Sequence, residues 1–210
     1  MENPVIIFGA TGLGPAALEI FNSNNVVVYG FLDDDKALHG KEVHNIPVLG
    51  STDDEGFLKL IGKKCEAFIA LDENKLRSSL VEMLDEDRHM MPVNAVHKTA
   101  YISKDASISH GTYFGPGVLV NTGATIGSHC ILNIGATVEY NAKLDDFVQL
   151  GAGSIIGSGA TVEKNAFIGA GAIIVSGVNI GKGARVGAGS VVVESVPART
   201  TVFGNPAKKV

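Results

Sequence analysis

Cysteine is scarce in this chain of 210 residues, with only Cys65 and Cys130 present. Two thiols in apolar surroundings cannot supply a disulfide framework, so both read as reduced core residues, consistent with the cytoplasm. No apolar run approaches the roughly 20 residues a helix needs to span a bilayer. The opening MENPVIIFGATGLG has no basic segment ahead of a long apolar stretch and does not read as a signal peptide. Positive charge is also short. The net charge of −5 argues against a broad nucleic-acid-binding surface. No metal site is expected. Zinc with an open position needs three converging histidines, and along the second half of the chain only His110 and His129 are available, with His97 at its edge.

What the second half does have is a repeat. From Val96 to Val192 an aliphatic or aromatic residue recurs at every sixth position, through Ile102, Phe114, Leu132, Val138, Leu150, Ile168 and Val186. Four places after each stands a compact residue, such as Ala100, Thr112, Cys130, Ser154 or Ser190. A period of six is neither helical nor an alternating strand. It describes a parallel β-helix in which each unit gives one short strand and one corner, with its first and fifth residues inward. Glycines at Gly151 and Gly153, Gly169 and Gly171, Gly187 and Gly189 mark corners that require unusual backbone angles. No coil can bury its own face, so stability comes from stacking.

The first ninety residues follow another rule. Val5–Phe8 reads as a buried strand entering the glycine loop Gly9-Ala10-Thr11-Gly12-Leu13-Gly14 and a helix through about Phe21. Pro15 suits the first helical turn, where its missing N–H costs nothing. A second strand over Val26–Tyr29 leads to Asp33, Asp34 and Asp35. A third covers Glu66–Leu71, and a helix follows from Asn74 to Leu84. This is a small Rossmann-like strand–helix–strand unit. Its glycines can bring backbone N–H groups to a phosphate at the helix N-terminus. Asp33, at the end of the second strand, stands where an acid commonly accepts from ribose hydroxyls. The reading divides the chain into a Rossmann-like domain (1–92), a β-helix (93–196) and a tail (197–210). Near the end, Lys182, Arg185, Arg199, Lys208 and Lys209 face only Glu194. That excess suits either an anionic ligand or a solvated tail.

Together these segments resemble the sugar O- and N-acyltransferases that include sialic-acid O-acetyltransferase and the UDP-amino-sugar acetyltransferases of bacterial glycan synthesis. FGATGLG, GFLDDD, Ile46-Pro47-Val48-Leu49-Gly50, Phe68-Ile69-Ala70 with Arg77, and the closing Gly204-Asn205-Pro206-Ala207-Lys208 carry the likeness. The resemblance implies a left-handed β-helix and a homotrimer. It implies acetyl-CoA as co-substrate in a groove between subunits, and a nucleotide-activated amino sugar on the front domain. Carried over, Gly9, Thr11, Gly12, Leu13, Asp33 and Asp34 would line the sugar-nucleotide site. Leu13 stands where the family usually has histidine. Gln149, Ala170, Ala188 and Lys208 would hold the donor, with the tail packed near it.

The family's base is a histidine in a V-E-H-D/E-C stretch, with a second histidine nine residues on. Here the stretch is Val138-Glu139-Tyr140-Asn141-Ala142 and the later position is Gln149. The candidate catalytic residues are therefore Glu139, Tyr140 and Asn141. Tyrosine is a poor base at neutral pH, with an ordinary pKa near ~10. His129, in a row with Phe147 and Asn165, is the other candidate. It would either approach the groove near Tyr140, within a subunit or across an interface, or stand as a surface histidine beside a corner. Three functions are open at this point: an acyltransferase, a binder of nucleotide sugar and CoA without turnover, and a γ-carbonic-anhydrase-like zinc hydrolyase. The histidine spacing disfavours the last.

Overall fold

The computed structural model describes residues 3–210, so Met1 and Glu2 of the opening segment lie outside the described residues. The chain divides after Lys98 into two compact units. The first is built from β1 (Val5–Phe8), α1 (Leu13–Ser23), β2 (Val28–Leu32), β3 (Glu42–Val43), β4 (Ile46–Gly50), α2 (Glu55–Leu58), β5 (Glu66–Ile69) and α3 (Asn74–Arg88). The sheet order is β3-β4-β2-β1-β5. All neighbours are parallel except β3 and β4. Every residue of β1 is buried, as expected of a central parallel strand covered on both faces. Ile6, Phe8, Leu32, Ala67, Ile69 and Leu84 share one core cluster.

The bounds of β2 and α3 differ from the sequence reading. β2 starts at Val28 because the Val26 N–H is held by the Phe21 carbonyl at 2.9 Å in the turn after α1. Gly30 then lies inside the strand instead of ending it. A Cβ there would stand 2.5 Å from Leu49 Cδ1, so the glycine makes room for the neighbouring strand's side chain. α3 continues past Leu84 to Arg88 and stops where His89 turns left-handed, at φ 52.

The second unit is a left-handed parallel β-helix of eighteen residues per coil, with Leu119 paired to Thr137 and Thr137 to Ile155. Its first face is a six-stranded sheet from Tyr101–Ile102 to Val191–Val192. The second is five-stranded, from Ser107–Ile108 to Asn179–Ile180. The third runs from Tyr113–Phe114 to Arg185–Val186, continues into Thr201–Gly204, and closes with the antiparallel strand Ala207–Lys209. From Phe114 to Val192 every sixth residue is buried, and so is every compact partner from Thr112 to Val196. Ile102, Ile108, Ala100 and Ala106 are only half-buried.

The corner glycines do two different jobs. Gly153, Gly171 and Gly189 are left-handed, at φ 64, 65 and 68. Gly151 and Gly169 are not. A Cβ on them would stand 2.4 Å from the Ala170 nitrogen and 2.5 Å from the Ala188 nitrogen of the next coil. The left-handed position also accepts other residues, namely His129, Asn141, Phe147 and Asn165 at φ 58, 57, 60 and 63.

Candidate active site

In the small unit the carboxyl ends of β1, β2 and β4 are tied together by the acidic run. Asp33 Oδ2 accepts from the Ala10 N–H at 2.7 Å and Oδ1 from the Asp35 N–H at 2.9 Å. His39 Nε2 donates to the Asp33 carbonyl at 2.7 Å, which fixes its proton on that nitrogen. Asp34 Oδ1 accepts from both the backbone and the hydroxyl of Thr52, each at 2.9 Å. Asp33 therefore also holds the glycine loop in place. Within that loop Gly9 is left-handed and pressed against the Ala70 carbonyl. A Cβ on Gly14 would meet the Gly9 carbonyl oxygen at 2.1 Å, so this glycine sets how closely α1 approaches β1. Gly12 starts α1 without a side-chain cap; the Gly14 N–H is held by the Thr11 carbonyl at 3.0 Å and Pro15 has none, so the first turn offers an anion the Leu13 N–H. Thr11 is exposed beside it, while Leu13 is buried.

Sequence reasoning did not assign a role to Arg77. It is 1% exposed, and its guanidinium donates to the carbonyls of Leu71 and Asp72 and to Asn74 Oδ1. It ties the segment after β5 to the start of α3.

In the β-helix the donor-side candidates share one side of the prism. Gln149 points outward from the third face, between Ile131 above and Phe167 below. Ala170 and Ala188 are exposed at the corner that follows this face. The rungs here run from the Gly153, Gly171 and Gly189 amides to the Ile134, Ala152 and Ala170 carbonyls. Among the described residues, the Ala152, Ala170 and Ala188 amides donate to no backbone carbonyl. Lys208 is exposed on the closing strand, opposite Phe203.

Glu139, Tyr140 and Asn141 occupy a different corner, between the first and second faces. Asn121 Nδ2 donates to Glu139 Oε2 at 3.1 Å, and Asn121 Oδ1 accepts from the Thr122 N–H at 2.7 Å. This pair adjoins a hollow of about 210 Å³ lined by Tyr101, Leu119, Thr137 and Val138. Tyr140 is 50% exposed. Asn141 uses its left-handed backbone to lay its side chain over Gly123.

His129 departs from the surface reading and from an approach to Tyr140 within one chain. It is 4% exposed, so it is not a surface histidine. It lies at the remaining corner, between the second and third faces, so within one chain it does not join Tyr140. Its ring stacks on Phe147 at 5.1 Å and covers Gly111, and Lys164 Nζ sits 5.4 Å from the other ring of the pair. The row with Phe147 and Asn165 is present, and all three corner residues are left-handed. Among the described residues no group of three or more His, Cys, Asp or Glu converges to hold a metal ion. No helix among them is long and apolar enough to cross a membrane.

The whole chain superposes on solved sugar acetyltransferases. A histidine-to-alanine mutant of GDP-perosamine N-acetyl transferase from Caulobacter crescentus, in complex with CoA and GDP-perosamine, is 31% identical. That match covers 100% of this chain and 98% of the other, with a TM-score of 0.91. The chain belongs to the hexapeptide-repeat sugar O- and N-acyltransferases.

Other matches to this acyltransferase agree. The family described as the PglD N-terminal domain matches residues 4–84, and the hexapeptide repeat of succinyl-transferase matches residues 159–194. The acetyltransferase domain of PglB from Neisseria gonorrhoeae FA1090, in complex with acetyl coenzyme A, is 25% identical. It covers 100% of both chains, with a TM-score of 0.90. WeeI from Acinetobacter baumannii AYE is 26% identical over 99% of each chain, with a TM-score of 0.75.

Proposed function

We propose that this acyltransferase moves an acetyl group from acetyl-CoA to the amino group, or a hydroxyl, of a nucleotide-activated sugar in bacterial surface-glycan synthesis, in the cytoplasm. The observation that carries the reading is the corner at Ala152, Ala170 and Ala188. It is a shallow, side-chain-poor edge with amides outside the ladder, suited to the amide-rich arm of CoA. Gly151 and Gly169 keep it shallow, because a Cβ on either would collide with the coil below.

Acetyl-CoA, when bound, supplies an acetyl group activated as a thioester. Gln149, Ala170, Ala188 and Lys208 hold it along the third face and its corner. The small unit holds the acceptor. The open first turn of α1, with Gly9, Thr11, Gly12 and Leu13, receives the diphosphate. Asp33 and Asp34 fix the loops around the nucleoside and keep acceptor sites for its hydroxyls. Tyr140, Asn141 and Gln149 stand where relatives of the resembling family carry histidines and an acid, so no strong base is at hand. The acceptor amine attacks in its unprotonated form, and positioning supplies much of the rate. As the amine attacks the thioester carbon the amide bond forms and the carbon–sulfur bond breaks; Glu139, one oxygen held by Asn121, takes the amine proton and CoA leaves as its thiolate.

The chain acts as a homotrimer in this reading. The outward row of the first face is Tyr101, Leu119, Thr137, Ile155, Ile173 and Val191, with Tyr101 62% and Leu119 46% exposed. The second face presents Ser107, Thr125, Lys143, Thr161 and Asn179 instead. An exposed apolar row of that length marks an association surface.

Burial of His129 favours one other reading, a binder without turnover. One assay separates the two. Acetyl-CoA is mixed with the protein and a panel of UDP-, dTDP- and GDP-linked amino sugars, and free thiol is measured. Thiol release with at least one sugar is expected. No release from any, with both ligands shown to bind, overturns the transferase reading and establishes the binder.

A further inference from the structure

The glycine loop and Asp33 stand at the carboxyl edge of the small unit's sheet. A cavity of about 670 Å³ lies at the opposite, amino edge, walled by Val5, Phe21, Val26, Val93 and Val96. Val5 and Glu66 pair at the first positions of β1 and β5. The length of β1, about 13 Å, therefore separates this cavity from the glycine loop. Its volume falls within the range of small-molecule sites, about 300–1,000 Å³.

The apolar part is held in place from behind. Phe21, late in α1, is buried and set edge-on to Phe68, with ring centroids 5.7 Å apart. The Val26 N–H bonds the Phe21 carbonyl and the Val93 N–H bonds the Ala67 carbonyl, both at 2.9 Å.

The polar part has one character. Asn3, Asn24 and Glu66 also line the cavity. Asn3 Nδ2 donates to Glu66 Oε1 at 3.0 Å, and Asn24 Nδ2 donates to the Val96 carbonyl at 2.8 Å. A carboxylate and a carbonyl can only accept, so these contacts fix which end of each amide is nitrogen. The remaining oxygens, Asn3 Oδ1, Asn24 Oδ1 and Glu66 Oε2, meet no donor among the described residues. Among the described lining residues Glu66 is the one ionisable side chain, and no cation accompanies it. A rim of acceptors with one negative charge repels phosphates and carboxylates. Set over an apolar floor, it selects a flat ring that carries an N–H edge.

We infer that this cavity binds a small aromatic ring bearing an amino or amidine group, with its N–H edge on Glu66, Asn3 and Asn24 and its body among the valines. The site is separate from the acceptor and donor sites proposed above and does not depend on them.

Methyl-detected NMR of the full chain with labelled valines reads both affinity and place, because four of the lining residues are valines. The probes are benzamidine and 2-aminopyrimidine, and benzoate is the control of similar shape and opposite charge. Either probe shifts the Val5, Val26, Val93 and Val96 methyls in a saturable titration. Benzoate binds there at least about tenfold more weakly than benzamidine. Glu66→Gln keeps an acceptor for Asn3 but loses the charge, and it weakens benzamidine about tenfold. Val26→Phe fills the cavity and abolishes binding of both probes. The methyls of Val138, Val162 and Val186 in the β-helix stay unmoved in both variants, as a check on the fold. No shift of the four methyls with either probe, benzoate equal to benzamidine, or benzamidine affinity unchanged in Glu66→Gln overturns the inference.

Discussion

Two serines in one inward row of the β-helix provide a matched pair for stability. Ser154 and Ser190 both occupy the compact position after the third face, and both are 0% exposed. Ser190 Oγ accepts from the Gly204 N–H at 3.0 Å, whereas Ser154 Oγ has no hydrogen-bond partner among the described residues. A buried hydroxyl without a partner costs about 1–3 kcal/mol. Removing one oxygen gives up a handful of dispersion contacts at about 0.1–0.2 kcal/mol each. Ser154→Ala should therefore stabilise the protein by about 1–2 kcal/mol. Ser190→Ala leaves the Gly204 amide unmatched and should cost about 0.5–1.5 kcal/mol. At this chain length 1 kcal/mol moves the thermal midpoint by about 2–4 °C. Thermal unfolding followed by far-UV circular dichroism should show Ser154→Ala above the wild type and Ser190→Ala below it. Midpoints are the right comparison, because stacked coils can unravel stepwise. A fall in midpoint for Ser154→Ala matching that of Ser190→Ala would refute the reasoning.

Two further outcomes follow from other parts of the structure. The Asn179 side chain and the Lys182 N–H hold the Glu163 carboxyl below its usual range. A depressed folded-state value stabilises above the unfolded carboxylate pKa of about 4.3 and is lost as pH falls below it. The midpoint gap between the wild type and Glu163→Ala should thus be open at neutral pH and narrow at about pH 3, and an equal gap at both would count against this. Gly187→Ala drives a methyl into the Phe203 ring and displaces the hairpin. CoA binding should weaken by about tenfold, or about 1.4 kcal/mol, with the β-helix spectrum retained. Unchanged affinity would contradict the placement of Lys208.

The β-helix was legible because its determinant is local and repeated. Each sixth residue meets the same environment one coil on, so the inward rows can be read without knowing the coordinates. The small unit was legible where a strand is buried on both faces, as at β1. It was less so at β2, where Gly30 looks like a terminator in sequence and proves to be a crossing point for Leu49. His129 shows the limit for the site. Its left-handed backbone belongs to the corner and its stack on Phe147 to a neighbour eighteen residues away, and nothing next to it in sequence signals burial. The spare amides at Ala170 and Ala188 were hidden for another reason: they are backbone groups, set by corner geometry and not by residue type.

The closing hairpin has a bearing on assembly. A parallel β-helix is a periodic structure whose last rung can template another, the geometry that lets strand edges propagate into fibres. On the third face the rung after Arg185–Val186 is Thr201–Gly204, and the strand beyond it, Ala207–Lys209, runs the opposite way with two adjacent lysines. A reversed and charged edge offers the wrong hydrogen-bond pattern to an incoming coil and repels its own copies. The hairpin is thus also a stop signal, holding a repetitive fold to a finite length.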